Sequence, residues 1–280
     1  MIIPAVLWNK WIWLLSVPVL IIGVVILLIY LFQNRLIFYP QTITEEEADR
    51  ISHMYERAEE VTFTGGEGKE LHGWLVHPRE KAEEEKLLIY YGGNAEELSG
   101  QISLMSENLA DWTILLVNYR GYGMSEGTPD EEMMYEDALA VFDNVNGLMD
   151  YEPAKKVLMG RSIGTGIAVK VASERQVDGM VLITPFDSLK EVARYHYPFL
   201  PVSWLLRYSF DSISRINDTR TPLLIIAGGE DHIIPEERAL KLLEEKEGAS
   251  EYELIENRGH NDIHSSPRFW EAIKNFLTEK

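Results

Sequence analysis

The chain has 280 residues, no cysteine, and 45 acidic against 26 basic residues, for a net charge of −19. That length suits one sizeable α/β domain with little left for a second. The missing thiols exclude disulfides, thiolate metal sites, a cysteine nucleophile and S-acylation; the acid excess speaks against nucleic-acid binding and against a broad docking face on anionic lipid.

The first element is apolar. Trp11 to Phe32 carries no charge, and as a helix it rises about 33 Å, the thickness of a bilayer core. Trp8, Trp11 and Trp13 lie at one end and Tyr30, Phe32, Phe38 and Tyr39 at the other, like two interfacial aromatic belts. Pro18 and Gly23 are tolerable in a spanning helix. A cleaved signal peptide is the competing reading, but the apolar run is long for one and no small-residue cleavage site follows. The expectation is a single-pass signal anchor at residues 11–32 after a short tail, 1–10. Lys10 before it and Arg35 and Arg50 after it nearly balance, so the orientation stays open.

Residues 33–57 read as a linker or collar, with Thr42-Ile43-Thr44-Glu45-Glu46-Glu47 as a capped helix start. Val61–Thr64 and Leu71–His77 alternate around Gly65-Gly66 and predict an antiparallel hairpin. Apolar strands then alternate with helical segments. The strands are Leu87–Tyr91, Thr113–Asn118, Lys156–Met159, Gly179–Thr184, Leu223–Ala227 and Tyr252–Ile255. The helices fall near 95–109, 131–149, 163–174, 235–246 and 267–278. This rhythm predicts an α/β fold, a mostly parallel sheet with helices on both faces. One segment breaks it: about 186–219 is long, proline-interrupted and rich in Tyr, Phe and Trp, and reads as one or two short cap helices over a site.

Gly160-Arg161-Ser162-Ile163-Gly164 is a Gly-x-Ser-x-Gly pentapeptide between an apolar strand and a helix. A serine there sits in a strained turn with its hydroxyl exposed, and Gly160 and Gly164 avoid clashes with the neighbouring strand and helix. This is the arrangement of a nucleophile. Three later or earlier segments complete it. Strand Leu87–Tyr91 ends in Gly92-Gly93-Asn94, where the backbone N–H of Asn94, with that of Ile163, is placed to form an oxyanion hole. Strand Leu223–Ala227 ends in Gly228-Gly229-Glu230-Asp231, where Asp231 can orient a histidine, with Glu230 as the alternative and helix capping as the bland role. His260, after the last strand, is the general base and then acid. His264, four residues on, falls on the last helix; His260-Asn261-Asp262-Ile263-His264 also resembles a set of metal ligands, but no third cluster of suitable spacing accompanies it, and no phosphate-binding or dinucleotide motif is present, so neither metal nor cofactor is expected.

The chain resembles the α/β-hydrolases over residues 58–280, and more narrowly the single-pass, membrane-anchored α/β-hydrolase-domain serine hydrolases. The resemblance rests on Tyr91-Gly92-Gly93-Asn94-Ala95-Glu96, on Asn118-Tyr119-Arg120-Gly121-Tyr122-Gly123-Met124-Ser125-Glu126-Gly127, on the Ser162 pentapeptide and on Gly259-His260-Asn261-Asp262, with Leu36-Ile37-Phe38-Tyr39-Pro40 after the anchor. One departure is Gly92, where many relatives carry histidine. The resemblance implies an α/β-hydrolase fold and a membrane-anchored serine hydrolase acting on an ester or thioester of a small or lipid-like acyl substrate. A peptidase or amidase on the same triad, or a non-catalytic membrane-tethered scaffold, are the alternatives. Asn217-Asp218-Thr219 is a glycosylation sequon, meaningful only in a eukaryotic secretory route.

Overall fold

The computed structural model describes the backbone of residues 5–79 and 85–279 and the side chains of 16–79 and 85–278. Helix α1 runs Ala5–Leu31, so the helical stretch starts six residues before Trp11 and takes in most of the expected tail; residues 1–4 lie outside the described region. From Ser16 onward its side chains face outward, with Val19, Leu20, Ile21 and Ile22 all more than half exposed. Among the residues with described side chains no helix is long and apolar enough to cross a membrane. Trp8, Lys10, Trp11 and Trp13, which the anchor reading uses, lie outside that set.

Residues 33–57 are no loose linker. Helix α2 (Gln33–Ile37) and Phe38 pack into the domain: Gln33 and Phe38 are buried, and Phe38 stacks edge-on against Tyr208 with ring centroids 5.1 Å apart. Helix α3 (Glu45–Met54) begins with the expected capping box, Thr44 and Glu47 satisfying each other's backbone N–H groups.

Among the described residues the strands form one sheet: β1 (Ala58–Thr64), β2 (Glu70–Val76), β3 (Lys86–Tyr91), β4 (Thr113–Val117), β5 (Lys155–Arg161), β6 (Gly179–Ile183), β7 (Leu223–Gly228) and β8 (Ser250–Ile255). Their order is β1-β2-β4-β3-β5-β6-β7-β8. The expected hairpin is β1 against β2, and β2 also pairs antiparallel with β4; β3 through β8 are parallel. The parallel strands are apolar runs because helices cover both their faces. On one face pack α5 (Glu131–Asn144), α6 (Ile163–Glu174) and α9 (Glu236–Glu245), together with Phe38, Tyr208 and Phe210. On the other pack α3, α4 (Ile102–Asn108) and α10 (Pro267–Glu279).

The topology creates the site. The chain passes from β3 outward to β4, then crosses back to β5 on the other side of β3. Such a reversal leaves a crevice at the carboxyl ends of the two central strands, and those ends carry Gly92–Asn94 and Ser162.

Two boundaries differ from the sequence reading. The helix expected near 95–109 is a 3-10 turn, Leu98–Gln101, followed by α4, because Asn94–Glu97 is consumed by side-chain hydrogen bonds to the turn itself. His264, expected on the last helix, sits in a 3-10 turn, Ile263–Ser265, ahead of α10.

The cap is smaller than 186–219. Helices α7 (Leu189–His196) and α8 (Val202–Leu205) project, while Phe186, Tyr208, Phe210 and Ile216 are buried in the core. Its return is pinned by the buried Glu131 carboxylate, which accepts from the N–H groups of Ser209 and Phe210 at 2.5 and 2.7 Å. Burial raises the Glu131 pKa.

Arg120 is buried against Asp137, Nε to Oδ2 at 2.7 Å and Nη2 to Oδ1 at 2.8 Å; Asp137 Oδ1 also accepts from Gly66 N at 2.8 Å. Removing one partner of a buried pair strands the other. Asp137→Ala is therefore expected to lower unfolding free energy by about 3–5 kcal/mol, read as a shifted midpoint in urea denaturation of the full chain. An unchanged midpoint would contradict this.

Candidate active site

Ser162 follows β5 and caps α6 with φ 53° and ψ −119°, a conformation that a non-glycine residue keeps only when its surroundings enforce it. They do so by close packing. A Cβ at Gly160 would lie 2.5 Å from the Gly164 carbonyl oxygen, and one at Gly164 would overlap the carbonyl oxygen of Tyr91 and approach that of Gly92 at 2.6 Å. Strand β5, helix α6 and the end of β3 thus meet with no side chain between them. The Ser162 N–H donates to Ile183 O at 3.0 Å, tying the elbow to β6.

Asp231 and His260 come from the turns after β7 and β8, which are neighbouring strands. His260 Nδ1 lies 2.7 Å from Asp231 Oδ2, and both residues are buried. The other carboxylate oxygen of Asp231 accepts from the N–H groups of Ile233 and Ile234, each at 2.8 Å. Helix capping, the bland role, is not realised, because α9 starts at Glu236 with Pro235 at its N-cap and no side-chain cap; one carboxylate oxygen shapes the turn and the other holds the histidine. Glu230, the alternative, is exposed. Ser162 and His260 line the same cavity, about 290 Å³ in volume, with Asn94 and Ile163. Asp187 and Arg238, buried at 3.0 Å from each other, fasten the base of the cap beside it.

The turn after β3 is held from several sides. Tyr119 donates its hydroxyl to Gly92 O at 2.8 Å. Gly93 N–H donates to Glu96 Oε2 at 2.6 Å. The Asn94 side chain is a hub: Oδ1 accepts from Tyr122 Oη at 2.8 Å, from Ala95 N at 3.0 Å and from Tyr39 N at 3.1 Å, while Nδ2 donates to Ile37 O at 2.5 Å. Burial pushes the Tyr122 hydroxyl up to about 12, so it remains a donor. With the side chain so engaged, the Asn94 backbone N–H is left over. Among the described residues neither it nor the Ile163 N–H donates to a protein acceptor, and both residues face the cavity. Tyr119 and Glu96 organise this turn, and a Cβ at Gly92 would lie 2.5 Å from Leu98 Cδ2.

The sequence reading missed Arg161. It donates from Nη1 to Glu96 Oε2 at 3.3 Å and from Nη2 to His260 O at 3.1 Å and Asn261 Oδ1 at 3.3 Å. It thereby clamps the turn after β3 to the histidine loop across the elbow. Any residue can occupy the second position of Gly-x-Ser-x-Gly, so the motif carries no signal for this. Ile37, Phe186, Leu189, Val192, Ile233 and Ile234 give the cavity an apolar wall. Ile37 comes from the segment read as linker or collar. Of the cap aromatics, Tyr195, Tyr197, Phe199 and Trp204 do not line the cavity and are exposed instead. Among the described residues no group of three His, Asp or Glu side chains is arranged to hold a metal ion.

Residues 86–208 match the alpha/beta hydrolase fold family, and the chain belongs to it. It is 32% identical over 267 residues to an uncharacterized protein of Mycobacterium tuberculosis, covering 94% of each chain. It is 31% identical over 196 residues to alpha/beta hydrolase domain-containing protein 17C of Homo sapiens, covering 69% of this chain and 58% of that one. Among solved structures it is similar to a Pyrococcus furiosus esterase, with a TM-score of 0.68 at 18% identity, covering 86% of this chain and 96% of the esterase. At that identity the likeness is one of fold.

The Gly164 packing makes a sharp expectation. Gly164→Ala must push the β3 turn away from the elbow, since the added carbon meets two carbonyl oxygens. Overpacking of this kind costs about 1–3 kcal/mol of stability. A displacement of about 1 Å at a reacting centre lowers turnover by roughly 10²-fold. Thermal melting and ester hydrolysis of the variant, measured together, check both.

Proposed function

We propose that the protein is a membrane-anchored serine hydrolase that cleaves an ester or thioester with an apolar acyl group. The observation that carries this reading is the buried Asp231–His260 pair at 2.7 Å, opening on the same cavity as a serine held at φ 53°. A structural histidine has no need of a carboxylate on one side and a strained serine in the same cavity on the other.

In this reading Ser162 Oγ attacks the acyl carbon while His260 Nε2 takes its proton, and Asp231 holds the imidazole by Nδ1–H and stabilises its charged form. The negative charge that develops on the carbonyl oxygen is met by the N–H groups of Asn94 and Ile163. Collapse of the tetrahedral intermediate breaks the bond to the alcohol or thiol, which leaves with the proton from His260. Water, deprotonated by His260, then attacks the acyl-enzyme and regenerates Ser162.

The substrate class follows from the cavity. Its wall of Ile37, Phe186, Leu189, Val192, Ile233 and Ile234 is apolar, and its volume is near the low end of the roughly 300–1,000 Å³ typical of small-molecule sites. That combination suits an acyl chain longer than acetyl. The anchor reading is supported by the length of α1, 27 residues, and by its outward-facing apolar side chains from Val17 to Leu31, which water solvates poorly.

Labelling with a fluorophosphonate probe tests the nucleophile. Wild type is expected to label, and Ser162→Ala and His260→Ala are expected to lose both labelling and ester hydrolysis, with turnover down by about 10⁴-fold or more. A folded wild type that does not label, or a Ser162→Ala protein of unchanged turnover, refutes the proposal. With p-nitrophenyl esters of increasing length, kcat/KM is expected to rise from acetyl to medium chains; a strict acetyl preference would contradict an apolar acyl substrate.

A further inference from the structure

Tyr195, Tyr197, Phe199 and Trp204 stand out on the cap. Phe199 is 98% exposed and Trp204 89%, and residues 194–201 are exposed throughout. Each large aromatic ring left in water forgoes the burial of some 150–250 Å² of surface, and a cluster of them marks a contact surface. From the structure we infer that this outer face of the cap is a second membrane contact, seated in the headgroup region of the same bilayer that holds α1. The inference rests on the anchor reading.

Three observations choose a bilayer over a protein partner. First, the patch is continuous with the end of α1. Gln33, two residues beyond that helix, donates from Nε2 to Leu205 O at 2.6 Å and accepts at Oε1 from Arg207 N at 2.9 Å. Asn34 donates to Pro129 O and, at 3.4 Å, to the Tyr208 hydroxyl. Trp204 thus sits one residue from a bonded contact with the base of the anchor, and the cap cannot lie far from the surface that α1 enters. Second, the composition is interfacial. Tyr and Trp concentrate where a bilayer meets water, and here they are joined by Phe199 and the partly exposed Leu200. Third, the patch itself is free of acid. The chain holds 45 acidic residues, yet none lies between Glu191 and Asp211; Arg194 at the near edge pairs with Glu191, and Arg207 lies beyond Trp204. The overall acidity that argues against anionic lipid is absent where contact would occur.

The geometry gives this contact a use. Leu189 and Val192, on the inner side of α7, line the cavity, while Tyr195 and Tyr197 at its outer end and just beyond it face out. His196 ties that end to the Ile233 carbonyl at 2.8 Å, beside the Asp231 turn. A cap seated on the bilayer brings the apolar cavity wall to the lipid boundary, so an acyl chain enters without crossing bulk water.

The absence of native cysteine allows a clean test. Full-length protein carrying Phe199→Cys, Trp204→Cys, Val25→Cys or Glu107→Cys is labelled with an environment-sensitive fluorophore and reconstituted in phosphatidylcholine vesicles, with and without brominated acyl chains. Labels at 199 and 204 are expected to emit to the blue and to lose most of their fluorescence to the brominated lipid, as at 25, while 107, on α4 across the sheet, stays water-like. Water-like emission at 199 and 204 with quenching at 25 overturns the cap contact and leaves the anchor intact. Water-like emission at 25 overturns both. Blue emission at 199 and 204 without quenching means that protein, not lipid, covers the patch, and also overturns the inference.

Discussion

The whole site hangs on a steric constraint at the centre of the sheet. Strand β5, helix α6 and the turn after β3 approach so closely that Gly160 and Gly164 have no room for a methyl group. That contact bends the chain sharply at Ser162, aims its neighbour's N–H into the crevice and brings the β3 turn alongside. Everything else is arranged around a point that packing, rather than hydrogen bonding, has already determined. The unfavourable φ of Ser162 persists because the surrounding core over-determines it.

Around that point, polar groups are shared economically. Asp231 uses one oxygen to shape its own turn and the other to hold His260. Asn94 commits its side chain to Ile37, Tyr39, Ala95 and Tyr122 and presents only its backbone to the cavity. Arg161 reaches both loops at once. The Tyr119–Tyr122 segment, recognisable in the sequence only as part of a family pattern, is a brace: Tyr119 and Tyr122 hold the turn after β3 while Arg120 fastens the loop to α5 through Asp137. Ile37 and Tyr39 connect the same turn to the segment that leaves α1, so the proposed anchor and the proposed oxyanion hole are joined through hydrogen bonds of one short segment.

The cap divides by chemistry. Its return half, Tyr208 and Phe210, belongs to the core, where Phe38 stacks against both rings. Its outer half is exposed, acid-free and joined to Gln33. A single aromatic-rich segment thus serves two solvents, the protein interior and, on the inference drawn above, the lipid interface. Composition could mark the segment as unusual, but it could not divide it, because Tyr208 and Trp204 look alike until the chain path is known.

Periodicity and punctuation determined the strand and helix order, the hairpin, the capping box at Thr44 and the elbow at Ser162, because each is written in residues adjacent along the chain and enforced by local sterics. The apolar character of α1 was equally legible. Asp231 and His260 were legible as residues following the last two strands, and the distance and burial of their pairing came only with the fold. Arg161 as a clamp, the docking of Gln33–Tyr39 and the split of the cap had no local signal at all. These depend on which strands become neighbours at the topological reversal between β3 and β5, and that choice is made by burial over the whole sheet, not by any segment alone.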